Sequence, residues 1–190
     1  MTSAILAIVI LSALPTRAET VTPALVCQVQ NAIRFRESAW PVATCERVAT
    51  ALNSTPRPRT TLAVAIIESD LRPLVVATTR PGVHDVGLMG VRCVALPSGG
   101  ACLFGPARGY AVEELKDLEI NVRVAAAIMA QKKAAYGKHW MRAYNGGTRE
   151  HGYARNIAAI EKALDGKQVR VKNPRVRKMV RQIAESVNHG

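Results

Sequence analysis

The stretch Leu118 to Ala135 carries the strongest helix signal in the chain: it is rich in alanine, the best helix former, and Gly137 closes it. A helix needs tertiary partners, and the chain offers several. Ala24 to Phe35 and Pro41 to Leu52 place apolar residues at three- and four-residue spacing. The breaker "STPRPR" at 54–59 follows, after which Thr60 or Thr61 can cap a helix that runs to about Ser69 and is stopped by Arg72-Pro73. A short helical piece around Trp140 precedes two further helices, about Gly152 to Leu164 and Pro174 to Val187. From 74 to 109 the composition turns to Pro, Gly, Val and Thr, predicting loops with a little strand around Val86 to Val94. There is no internal repeat and no low-complexity block. The expectation is a single, mainly α domain with a small β or irregular element inserted early.

With 190 residues, 48% of them hydrophobic, the chain can build a proper core. Its formal net charge of +12 points to an anionic partner such as nucleic acid, an acidic membrane surface or an acidic polymer. Ala4 to Leu14 has the length of a signal-peptide core and is too short to span a bilayer. Pro15 breaks it, and Thr16-Arg17-Ala18 presents small residues where a signal peptidase reads. Residues 1–18 are therefore expected to be a signal peptide and 19–190 the mature domain, with a basic C-terminal helix over about 168–190. The expected location is the periplasm or the exterior.

Four cysteines, Cys27, Cys45, Cys93 and Cys102, allow three pairings. The turn Pro97-Ser98-Gly99-Gly100 lies between Cys93 and Cys102 and favours a local bridge, which leaves Cys27 with Cys45 to join two early helices. The spacings match neither a redox pair nor a zinc site.

"AIIESD" at 65–70 sets an ionisable group, Glu68, at the end of an apolar run that begins at Leu62. Partial desolvation would raise its carboxyl pKa and make it a general acid, the role required in glycoside cleavage. The competing reading is a surface ion pair with Arg72, four residues on.

Three later segments bear on that choice. "DVGLMG" at 85–90, "AYNGG" at 143–147 and Tyr153 follow "IIES" in order, and "DLEINVRVAAAIMA" at 117–130 contains the pair Asn121-Val122. Together they resemble the lysozyme-like, Slt-type lytic transglycosylases, which cleave peptidoglycan. The resemblance covers roughly residues 24–164. It implies an α+β lysozyme-like fold with a saccharide groove, Glu68 as acid and then base, and Ser69 positioning Glu68 or the substrate. Gly87, Leu88 and Met89 would line the groove floor, Tyr144 and Asn145 another wall, and Tyr153 would hydrogen-bond the Glu68 carboxyl. Tyr144 as a core aromatic and Asn145-Gly146-Gly147 as a simple helix-ending turn are the plainer alternatives. The family carries Gln where this chain has Gly90, so an amide contact in the groove is missing.

Asp85 precedes the Gly-Leu-Met segment much as an Asp does in animal-type lysozymes, and also resembles the pattern of some secretion-associated transglycosylases. Two carboxyls about 5 Å apart would allow a retaining hydrolase; a lone Glu fits transglycosylase chemistry, and a turn or capping role for Asp85 is equally open. The resemblance implies peptidoglycan strands as substrate of a monomeric enzyme, with no cofactor. A secretion or conjugation machine is the associated partner, and a non-catalytic wall-binding component is the rival reading. His84, His139, His151 and His189 lack metal-ligand spacing, and neither a serine elbow nor a phosphate loop is present. "VRVKNPRVRKMVR" at 169–181 has no aromatics for stacking on bases, which argues against nucleic acid and for a basic face against anionic wall or membrane.

Overall fold

Helix α1 (Pro23–Ile33) begins where Thr22 accepts a hydrogen bond from the Leu25 N–H, with Pro23 in the first turn, where its missing N–H costs nothing. The structure is a computed structural model and describes residues 19–34, 37–96, 99–144 and 151–189, so the expected signal segment and Asn145 lie outside the described residues. Next come α2 (Val42–Asn53), α3 (Pro58–Ser69), a three-stranded sheet, α4 (Leu118–Tyr136), α5 (Trp140–Tyr144), α6 (His151–Ala163) and α7 (Pro174–His189). No described helix is long and apolar enough to cross a membrane.

The helix α3 is the hub. Leu62, Ala63, Val64, Ala65 and Ile66 are all fully buried, so no side of this stretch is spare for water. It packs on α2 and α6, while α7 packs on α1 and α6 and α2 leans on α4. On α7, Val176, Met179, Val180, Ile183 and Ala184 recur at helical spacing and face inward. The expected threonine cap of α3 is not used: the helix starts earlier, at Pro58, and Thr60 and Thr61 are buried inside it. Their hydroxyls donate instead to Glu161 (2.5 Å) and to the Arg57 carbonyl (2.9 Å). Its end is also made differently. Asp70 and Leu71 take left-handed φ of 53° and 56°, ending the helix before Arg72-Pro73 is reached. Burial of Leu71 holds that unfavourable pair in place.

The sheet has antiparallel order β1 (Val76–Arg80), β2 (Val83–Val86), β3 (Val91–Val94). The strand expected across Val86–Val94 is thus two strands, because Gly87 and Gly90 have φ of 73° and 58° and turn the chain between them. Both expected disulfides are present: Cys27–Cys45 joins α1 to α2, and Cys93–Cys102 closes the loop after β3. The result is the mainly helical fold with a small sheet that the lysozyme-like resemblance implied.

Candidate active site

Glu68 occupies the last turn of α3, half-buried, with the fully buried run 62–66 behind it. Its Oε1 accepts a 2.5 Å hydrogen bond from the hydroxyl of Tyr153, which α6 delivers from 85 residues away. Burial is the largest influence on the carboxyl and pushes its pKa up; the Asp85 charge adds to the rise. The Tyr153 hydrogen bond and the charges of Arg175 and Arg92 oppose it without reversing it. Burial and the neighbouring carboxylate also hold the Tyr153 phenol far above its ordinary range, so it acts as a donor and stays protonated. Arg72 does not take up Glu68. It bonds Glu37 at 3.4 Å, which removes the surface-pair reading.

The other expected site residues fall into two groups. Tyr144, at the end of α5, lines a cleft of about 260 Å³ with Glu68, Asp85, Gly90, Arg92 and Lys132. Its hydroxyl donates to the Met89 carbonyl at 3.3 Å, and burial raises its pKa. Ser69, Gly87, Leu88 and Met89 lie behind the cleft. The Leu88 and Met89 side chains are fully buried in the core, and neither residue lines the cleft. Ser69 is buried too; its hydroxyl donates to the Leu88 carbonyl at 2.7 Å, fastening the end of α3 to the glycine turn.

Asn121 organises that turn; the sequence marked it only through the Asn121-Val122 pair of the family resemblance, with no role attached. Buried completely, it donates to the Val86 and Leu115 carbonyls and accepts from the Met89 N–H, each at 2.8 Å. A Cβ on Gly87 would stand 2.4 Å from Asn121 Nδ2, so glycine is required there by contact as well as by φ. Gly90 is different. A Cβ there would meet Glu68 Cβ at 3.2 Å and Oε2 at 3.3 Å, so the turn presses its bare backbone against the carboxyl.

Asp85 on β2 stands opposite Arg92 on β3 in register. Arg92 grips both carboxylate oxygens, Nε to Oδ1 at 2.9 Å and Nη2 to Oδ2 at 3.0 Å. Arg92 and Lys132 were not anticipated as cleft residues, since nothing local marks a strand arginine or a helix lysine as facing a site. Among the described residues no group of His, Cys, Asp or Glu could hold a metal ion.

One buried-edge carboxyl with a raised pKa, a tyrosine donor on it and an adjoining cleft can donate a proton to a ligand oxygen and take one back. No curated protein and no solved structure matches the chain. The family model for the transglycosylase SLT domain matches residues 48–164, a span that holds Glu68, the glycine turn, Asn121, Tyr144 and Tyr153. The chain belongs to the transglycosylase SLT domain family, lytic transglycosylases that act on peptidoglycan.

Proposed function

We propose that Glu68 is the single acid and base of a lytic transglycosylase that cleaves the β-1,4 bond between N-acetylmuramic acid and N-acetylglucosamine. The protonated carboxyl gives its proton to the glycosidic oxygen as the bond to muramoyl C1 breaks. The resulting carboxylate takes the proton of the same sugar's C6 hydroxyl, whose oxygen bonds to C1. A 1,6-anhydro end forms, a free 4-hydroxyl leaves, no water is consumed, and Glu68 ends protonated as it began. The observation that carries this reading is the asymmetry of the two carboxyls in the cleft. Glu68 is desolvated and raised in pKa, with Oε2 toward Gly90, whereas both Asp85 oxygens are engaged by Arg92. A carboxylate held in that fork is a poor nucleophile, which disfavours the two-carboxylate hydrolase.

Tyr144 lines the cleft where a sugar would lie, and the Cys27–Cys45 and Cys93–Cys102 bridges support an exported protein. Digestion of peptidoglycan in ¹⁸O-labelled water, by the protein and by Glu68→Gln, tests the reading. Unlabelled anhydro ends are expected from the unsubstituted protein, with Glu68→Gln slower by at least about a hundredfold. Labelled reducing ends would overturn it in favour of hydrolysis, and no cleavage by either would leave a wall-binding protein.

A further inference from the structure

The C-terminal helix carries charge that the Glu68 chemistry does not use. Between Asp165 and Glu185 lie seven Lys or Arg residues and no carboxylate. Its apolar face is spent on the core, so these cations populate the opposite face and the approach to it. A groove of about 560 Å³ runs there, with Arg170, Arg177, Lys178 and Arg181 on its lining and no acidic residue. Among the described residues no carboxylate pairs with Arg170 or Arg177, and Glu185 approaches Arg181 only to 4.0 Å. Like charges gathered in this way repel one another unless an anionic ligand lies among them.

Lys178 also borders a hollow of about 340 Å³ between α7 and the Asp70–Arg72 turn. Arg34, Arg72, Arg175 and Lys178 face Glu37 and Asp70 in that hollow, leaving an excess of two positive charges. Arg175 bonds Asp70 at 2.7 Å, two residues beyond Glu68, and its charge reaches the Glu68 carboxyl itself.

We propose that this face of α7 is a rail for the carboxylates of the peptide stems on the glycan, making peptide-bearing strands the preferred substrate. The proposal rests on the peptidoglycan reading of the Glu68 site. Glycan sugars are neutral, while the stems hanging from them carry several carboxylates per repeat. Arginine forks suit carboxylates in pairs of hydrogen bonds. The same helix reaches the Glu68 turn through Arg175, which favours substrate over a separate membrane partner.

Binding is measured by sedimentation with insoluble peptidoglycan and with the same material after its stem carboxylates are converted to neutral amides. Glu68→Gln serves as the background, so that no strand is cut. Amidation is expected to weaken binding about tenfold at physiological salt, and added salt to erase the difference. The triple variant Arg170→Gln, Arg177→Gln, Arg181→Gln should lose about as much on native glycan and little more on amidated glycan. The corresponding triple lysine variant keeps the charge without the fork and should lose less than the glutamine variant. Equal binding of the two glycans, or a triple variant that binds native glycan normally, overturns the rail. So does a charge-dependent loss confined to vesicles of anionic phospholipid, which would make the face a membrane contact. Failure of the unsubstituted protein to cleave either glycan would count against the Glu68 chemistry alone, because the binding comparison is read without cleavage.

Discussion

Replacing Tyr153 by Phe removes one oxygen and leaves the packing of a ring that is only 3% exposed. The lost group is the 2.5 Å donor to Glu68 Oε1, in a place where burial denies water easy access as a substitute. A hydrogen bond to a charged acceptor contributes about 1.5–3 kcal/mol, so its loss should push the Glu68 pKa further up. Burial already raises it, and the Tyr153 bond is the largest influence holding it down. The acid step needs the protonated carboxyl, so activity falls as pH rises through this pKa. In Tyr153→Phe that alkaline limb should therefore move to higher pH, with a lower plateau because the Glu68 carboxyl is no longer held in place by the phenol. Stability follows the same sign. A carboxyl whose folded pKa lies above its unfolded value binds more proton in the folded state, so stability is fully present below the unfolded value and declines as pH rises to the folded one. Melting curves across that window should show a longer decline in Tyr153→Phe. The assay is a pH profile of anhydro-muropeptide release, paired with those melts. An alkaline limb that stays put or moves down would refute the argument that Tyr153 stabilises the Glu68 carboxylate.

Gly87→Ala drives a methyl into Asn121 Nδ2 at a φ of 73°, and the left-handed penalty plus loss of buried amide bonds should cost about 3–5 kcal/mol, a fall in Tm of roughly 10 °C by calorimetry. Asp85→Asn breaks the fork with Arg92 and removes an influence that raises the Glu68 pKa, so cleavage should change by less than about tenfold with anhydro products retained, as product mass spectrometry will show. The double variant Cys27→Ser, Cys45→Ser opens a link of sequence separation 18 and should lower stability by about 3 kcal/mol in denaturant titrations, with the products of cleavage unaltered.

The helices were readable because their signals are local. Apolar spacing located α1, α2, α4, α6 and α7 to within a few residues, and the turn between Cys93 and Cys102 pointed to the right disulfide pairing. Errors came where a local rule met a stronger distant one. Thr60 and Thr61 look like caps, yet their hydroxyls serve interior bonds to Glu161 and Arg57 once α3 becomes the centre of the core. The family resemblance made Leu88 and Met89 groove residues, yet hydrophobic burial claims both side chains and the cleft is lined by others.

By itself, then, the sequence determined the helical elements and the position of a carboxyl at the edge of an apolar run, because propensity and periodicity act over a few residues. Only the tertiary structure decided what each chemical group meets. Tyr153 reaches Glu68 across 85 positions, a contact the family resemblance implied and no local pattern carries; Asn121 locks a turn 32 residues before it, and Gly90 lies against the carboxyl it leaves uncovered. Such meetings depend on how whole helices pack, a free-energy balance summed over the core. No short stretch of chain records that balance.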